Sequence, residues 1–398
     1  MISNYLRTTI SQADEGLNPA ITTGIRYLIM NRRNFLQTSV AATVGFTFDS
    51  LTANDISNLK PPSRLQTKIA AYYLRAHMYT CVPRQIRDDM KWMGEQGTNY
   101  VCVAVLEQDF FAGYENLALI IKEAERSGMQ VIAVPSRWAG LTAGAPKVPS
   151  LFTILNPQTW IVNKNGSTFI MPRTCGAISS VHHPDTLKFF FDTLTEMYQQ
   201  HPSLAGFIID EPKGFIFDQS PAAIAAIGKN ATTSAYYLGA QNFYSKVCAF
   251  AKEHWPNKLT ILFQEANKLQ EEIAAGAGVS HLDYYGCDGR PWTMEDDIKM
   301  RNNDENQESG KGKILLSGRG EMFIKEARNI NNRKAFLLAE NHNLKANMIE
   351  SMDRNYADVL KLGADMFTYY YYPRNVDNAE EAMEIIRRHL SRFTRASQ

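Results

Sequence analysis

Tyr100-Val101-Cys102-Val103-Ala104-Val105-Leu106 is an apolar, β-branched run of strand length. Across 114–127, Leu117, Ile120, Ile121 and Ala124 recur at the helical period, and Gly128 stops the pattern. Val131-Ile132-Ala133-Val134 then returns to the apolar run. A strand, an amphipathic helix and a strand in this order make a βα repeat with parallel strands. The same alternation extends in both directions. Strands are expected over 69–79, 100–106, 131–134, 204–209, 259–263, 282–286, 335–338 and 366–371. Helical stretches at 84–96, 114–127, 184–200, up to 274, 321–330, 347–362 and 379–393 separate or follow them.

Eight such units predict an α/β chain folded as a (β/α)8 TIM barrel, the parallel sheet that closes at this number. Residues 313–317 also read as a strand, which would shift the count, and an open doubly wound sheet is the competing architecture. No glycine-rich dinucleotide fingerprint and no Walker loop follows any early strand. The stretch 137–183, rich in Pro, Gly, Trp and Asn, is too long for an ordinary βα connection. It is expected to be an insertion after the third strand that forms a lid or wall over the barrel mouth.

Composition narrows the function. With 398 residues, 44% hydrophobic and 21% charged, the chain is of ordinary globular make-up. Its net charge, 42 − 41 = +1, lacks the basic excess of a duplex-binding protein, so no nucleic-acid partner is expected. No apolar run approaches the ~20 residues of a membrane span. Cys102 and Cys248 lie in apolar segments and read as core residues, while a disulfide between two of Cys81, Cys175 and Cys287 is left open. Asn31-Arg32-Arg33-Asn34-Phe35-Leu36-Gln37 and the mildly apolar stretch after it resemble a twin-arginine export signal. The resemblance implies a periplasmic or secreted protein. Residues 1–60 are accordingly read as leader and linker, and 61–398 as the catalytic barrel.

Active residues of such barrels collect at the carboxyl ends of the strands. Arg75 and His77 close the first expected strand, Glu107 and Asp109 follow the second, and Arg137 and Trp138 the third. Asp210-Glu211-Pro212 ends the fourth, Glu265 the fifth, and Tyr284 with Asp288 marks the sixth. Glu340-Asn341-His342 ends the seventh, and the run Tyr369-Tyr370-Tyr371-Tyr372 the eighth. Acids are costly to bury without a partner or a task, so this many at strand ends mark a site.

The run Gly206-Phe207-Ile208-Ile209-Asp210-Glu211-Pro212 is similar to the fourth-strand motif of retaining glycoside hydrolases of the large barrel clan A. There the acid/base glutamate usually follows an Asn and often precedes a Pro, and the nucleophile is a glutamate closing the seventh strand. The resemblance implies Glu211 as acid/base and Glu340 as nucleophile. This chain departs from the pattern in having Asp210 where the clan has Asn, and an ionised Asp accepts hydrogen bonds only. The charge of Asp210 is expected to raise the proton affinity of Glu211, which suits an acid. The substrate-binding set is Arg75, His77, Glu107, Arg137, Trp138, Asp210, Glu265, Tyr284, Trp292, His342 and Tyr370. Trp138 and Trp292 are expected as an aromatic wall for a sugar ring.

The leading expectation is thus an exported glycoside hydrolase acting on an oligosaccharide or polysaccharide, with no cofactor and no metal. Adjacent His182 and His183 do not change this, because neighbouring histidines rarely share one ion. Two other readings stand beside it. One is a metal-dependent sugar isomerase or epimerase using Glu107, Glu211, Asp288 or Glu340 as oxygen ligands. The other is a non-catalytic glycan-binding protein that keeps the cleft.

Overall fold

The computed structural model describes residues 67–396 apart from 74–81, 145–147, 172–175, 293–315, 331–332 and 373–374. The expected leader with Arg32-Arg33, and the candidate residues Arg75 and His77, lie outside the described residues.

Eight parallel strands form a closed barrel. They are β1 (Lys68–Tyr73), β2 (Tyr100–Val105), β3 (Gln130–Pro135) and β4 (Gly206–Asp210), then β5 (Leu259–Glu265), β6 (Tyr284–Gly289), β7 (Lys334–Ala339) and β8 (Met366–Tyr371). Each strand pairs with the next, and β8 closes on β1 from Lys68↔Met366 to Tyr73↔Tyr371. The helices between them are α1 (Pro83–Glu95), α2 (Tyr114–Arg126), α3 (Pro184–Gln200), α4 (Thr233–His254), α5 (Gln270–Ala277), α6 (Leu316–Asn329) and α7 (Ile349–Lys361). After β8 comes α8 (Ala379–Ala396). Leu316 and Ser317, which read as the end of another strand, open α6 instead, so the count stays at eight.

Alternation along the strands divides the core in two. Ala71, Val103 and Tyr369 face outward into the layer between sheet and helices. Tyr72, Ile208, Phe263, Tyr284, Phe336 and Tyr370 fill the barrel interior. Gly286 makes room in the inner layer. It is in register with Phe263 on one side and Phe336 on the other, and those two rings stack at 5.3 Å. A Cβ at Gly286 would collide with the Phe336 carbonyl oxygen.

Two expected boundaries move, with consequences for the site. The sixth strand starts at Tyr284 rather than ending near it, because Gly286-Cys287-Asp288-Gly289 continues the strand. Tyr284 is therefore at the amino-terminal floor of the barrel, in register with Ile261 and Lys334, and cannot reach the mouth. Cys287 is a buried free thiol, so it takes no part in a disulfide, whereas Cys81 and Cys175 lie outside the described residues. Cys102 and Cys248 are core residues as expected. The sequence reading left 213–258 unassigned; Pro221–Ile227 and α4 lie there. Gly239 of α4 sits against the His182 ring, where a Cβ would have no room, so that histidine is a packing residue.

The insertion is knit into the scaffold more than a lid would be. Trp138, Leu141, Ile161 and Ile178 belong to the outer core, and Thr159, Ser179 and Ser180 are fully buried. A short hairpin, Ile170–Met171 with Gly176–Ala177, is its only regular sheet among the described residues.

Candidate active site

The strand period brings acids from four strands to one end of the barrel. Inward-facing Ile208 and Phe263 put Asp210 and Glu265 on the inner face two residues on, and Tyr284 does the same for Asp288 four residues on. Glu340 follows Leu338 in the same way, immediately past β7, where its N–H donates to the Gly289 carbonyl at 2.8 Å. Glu211 reaches the same space by a different route. Its φ of 38° is a left-handed conformation that costs a non-glycine residue energy, as often found at functional sites. Backbone bonds hold it there: Glu211 N–H to Phe263 O at 3.0 Å, and Lys213 N–H to Leu141 O at 2.9 Å.

Carboxylate oxygens of Glu211, Asp288 and Glu340 lie within 4.8 Å of one another. Asp288 is 3% exposed, and its carboxyl is hydrogen-bonded to Glu340 and to Glu211. The Lys213 ammonium lies 2.7 Å from Glu211 Oε2 and 3.7 Å from Glu265 Oε1. Lys268 in turn sits 3.5 Å from Glu265 and 2.9 Å from Glu272. The three clustered oxygens are close enough to face one divalent ion, although Glu211 among them already pairs with the Lys213 ammonium. Glu107, the fourth acid expected of a metal site, is elsewhere. It accepts the Ser150 hydroxyl at 2.5 Å and the Phe152 N–H at 2.7 Å, clamping the insertion to β2.

These contacts decide where protons reside. Burial pushes the Glu211 carboxyl up, but Lys213 outweighs it and holds the group at about 2. Asp210 moves the other way. Burial and the Glu211 charge push it up to about 7, against the pull of the Tyr72 hydroxyl, Lys213 and Arg137. Burial, with the charges of Glu340, Glu211 and Glu265, lifts Asp288 well above the usual carboxylate range. The expectation that Asp210 would push Glu211 up is thus reversed: the ammonium two residues along the chain outweighs it, and Asp210 and Asp288 are the carboxyls that their surroundings push up.

Of the expected substrate-binding residues, several gather at the mouth. Asp210 accepts the Tyr72 hydroxyl at 2.7 Å, the Tyr370 ring stacks obliquely on Tyr72 at 4.9 Å, and His342 lies 4.2 Å from Tyr370. Glu265 shares the lysines. Arg137, left-handed at φ 61° and buried, spends a guanidinium N–H on the Gly144 carbonyl at 2.6 Å and turns the chain after β3. Trp138 does not form a wall. It has no exposed surface, packs on Phe110, Phe189 and Phe190, and donates its indole N–H to Val105 O. Trp292 is likewise buried, with the Arg290 guanidinium 5.5 Å over its ring. In the tyrosine run, Tyr370 alone faces inward, because the left-handed turn at Tyr372 (φ 48°) sends its hydroxyl to Glu380 instead.

Sequence reading missed Lys213, Lys268 and Tyr72; it placed Asp288 among the strand-end acids and as a possible metal ligand, but not in the catalytic or substrate-binding set. The signal for Asp288 was its even spacing from Tyr284, hidden once the strand was ended at Gly286.

No protein-family model matches the chain, and no curated protein does. Solved structures do resemble it. A β-galactosidase from Marinomonas ef1 aligns with a TM-score of 0.57 at 12% identity over 83% of this chain and 60% of its own. The chain therefore spans about three fifths of that enzyme. A GH5_18 protein from Streptomyces cattleya, solved with GlcNAc, gives 0.55 at 11% identity over 84% and 81%. The catalytic domain of a β-amylase from Paenibacillus polymyxa gives 0.52 at 8% over 82% and 98%. Among the described residues, no helix is long and apolar enough to cross a membrane. What the chain shares with these structures is its fold, and that fold is the closed (β/α)8 barrel.

Proposed function

We propose that the chain is an exported glycoside hydrolase that cleaves an oligosaccharide or polysaccharide with retention, through Glu211 and Glu340. Fold alone does not support this, since barrels of this kind host many chemistries. The observation that carries the reading is the carboxyl spacing. Oxygens of Glu211 and Glu340, from the ends of β4 and β7, lie within 4.8 Å. Double displacement uses roughly 5–5.5 Å between its two carboxyls, whereas direct attack by water uses roughly 6.5–9.5 Å. Glu340 attacks the anomeric carbon and forms a glycosyl ester. Glu211, hydrogen-bonded to the Asp288 carboxyl and protonated once substrate draws the Lys213 ammonium away, passes that proton to the leaving oxygen and then takes one from the attacking water. His342, partly exposed against the buried Tyr370 ring and two residues past Glu340, is the side chain we place beside the sugar. The glycosidases that share the barrel, named for β-galactosidase and β-amylase activity, agree with a carbohydrate substrate. The ammonium already bound to Glu211 weighs against the isomerase reading, whose metal would need that carboxylate.

A panel of aryl glycosides tests the reading. At least one should be hydrolysed, the rate should survive EDTA, and Glu340→Gln should abolish turnover in a protein that still melts as the wild type does. A panel with no turnover, together with EDTA-sensitive sugar isomerisation, would contradict it. Export is tested separately: changing Arg32 and Arg33 to Lys should leave the protein in the cytoplasm.

A further inference from the structure

Along the β4–β5 side of the mouth, charged side chains follow one another in alternating sign: Glu211, Lys213, Glu265, Lys268 and Glu272. The outer contacts are tight, 2.7 Å between Glu211 and Lys213 and 2.9 Å between Lys268 and Glu272. The middle member is held differently. Glu265 Oε1 lies 3.7 Å from the Lys213 ammonium and Oε2 3.5 Å from that of Lys268, beyond the ~2.7–2.9 Å of a strong charge-assisted hydrogen bond. Glu265 is also the most exposed of the row, at 39%, against 19% for Lys213 and 22% for Lys268.

The backbone holds both lysines in place. The Lys213 N–H is tied to the Leu141 carbonyl at 2.9 Å. The loop after β5 is pinned at several points: Ala266 N–H donates to Asp288 O at 3.0 Å, and Lys268 N–H to Glu265 O at 3.2 Å. Arg319 of α6 donates to the carbonyls of Ala266 at 3.0 Å and Lys268 at 2.6 Å. An ammonium carries three N–H donors, so one tight carboxylate contact leaves donors for a ligand. Two sheltered ammoniums, on either side of an exposed and loosely held carboxylate, make a seat for an anion of that shape.

We propose that Lys213 and Lys268 recognise an anionic group on the substrate, a uronic-acid carboxylate or a sulfate ester, which displaces the Glu265 side chain from between them. This rests on the glycosidase reading above and names its substrate class. In turning out to water, Glu265 gives up only long contacts, and the substrate's anion returns to the lysines the charge it removes. Lys213 is bonded to Glu211, the carboxyl that serves the leaving oxygen, so the anion belongs to a sugar beside the bond being cut. The exchange also supplies the draw on Lys213 that the reaction needs. A neutral hydroxyl competes poorly with a carboxylate for an ammonium, whereas a second anion makes a bond of the same charge-assisted kind.

The test pairs aryl glycosides that differ only in this group: a hexoside, the matching hexuronide and the 6-sulfated hexoside, in gluco and galacto configurations. One anionic member should exceed its neutral counterpart in kcat/KM by ~10-fold or more, the scale of a hydrogen bond to a charged group. The hexuronide and sulfate arms tell the two anions apart. Lys268→Met should cut that preference at least ~10-fold, and Lys268→Arg should restore most of it. Equal losses on neutral and anionic substrates would show a merely structural role and overturn the proposal. Neutral glycosides cleaved faster than both anionic ones would also overturn it, while leaving the glycosidase reading standing. A second measurement does not depend on turnover. Calorimetry at low salt compares an oligogalacturonate, a sulfated oligosaccharide and a neutral one of the same length, on Glu340→Gln protein. One anionic ligand should bind at least ~10-fold more tightly than the neutral one, and Lys268→Met should erase the difference. Equal binding of all three overturns the proposal. Anion-selective binding that Lys268→Met erases, in a protein that cleaves no glycoside, supports the seat and counts against the glycosidase reading alone.

Discussion

Replacing Lys213 with Met removes the ammonium while keeping the length of the side chain. Lys213 and Glu211 are each about a fifth exposed, at 19% and 20%, and the bond between them is 2.7 Å. Breaking a fully buried pair by removing one partner costs ~3–5 kcal/mol, because the remaining charge is stranded. Partial exposure puts this pair at the lower end. The shift of Glu211 gives a similar figure: from 4.5 to about 2 is ~2.5 units, or about 3 kcal/mol at ~1.36 per unit. The sign follows from the depressed value. Stability from Glu211 is complete above its unfolded value of 4.5 and is lost as pH falls towards 2. Urea unfolding at pH 7 should therefore find Lys213→Met less stable by about 3 kcal/mol, with the gap reduced to roughly half by pH 3. Equal stability at pH 7, or a gap independent of pH, would refute the assignment of Lys213 as the charge that holds Glu211.

Three other substitutions separate scaffold from site. Trp138→Ala should cost ~3–5 kcal/mol in urea unfolding, as a large core deletion does, whereas a substrate wall would lose affinity with stability unchanged. Tyr284→Phe, at the barrel floor, should leave kcat/KM within about twofold; a tenfold loss, ~1.4 kcal/mol of transition-state binding, would return it to the site. Asp210 is a carboxyl raised from 3.8 to about 7, so its contribution favours folding at low pH and is lost as pH rises from about 4 through 7. Asp210→Asn should flatten that part of the melting temperature profile while keeping the acceptor for Tyr72, and an unchanged profile would show that Asp210 is ionised throughout.

The barrel was legible because its signals are local. Leu117, Ile120, Ile121 and Ala124 declare the buried face of α2, and eight apolar runs declare the strands. Helix α4 escaped notice because its buried residues include Tyr236, Tyr244 and Cys248 beside exposed Leu238, which blurs the stripe. The acids at strand ends were also legible, since alternation carries Asp210, Glu265 and Asp288 inward. What the acids do was not. Lys213 reaches Glu211 only because Pro212 and the left-handed Glu211 fold the chain back, and nothing in their spacing signals a bond. The glycine in β6 hid the continuation that aims Asp288 at the site, so Tyr284 was expected in the place Asp288 takes. Trp138 was misplaced for a related reason: the left-handed turn at Arg137 sends the next side chain into the core.

The central claim is that Glu340 forms a covalent glycosyl ester within reach of Glu211. The most direct measurement uses a 2-deoxy-2-fluoro glycosyl fluoride matched to a glycoside that the protein cleaves. Mass spectrometry of the digested protein then locates the label. The account predicts one sugar per chain, on the peptide carrying Glu340, with activity lost in step and no label in Glu340→Gln. A label on Glu211 or Glu265, or turnover that proceeds with inversion and never traps an ester, would contradict it.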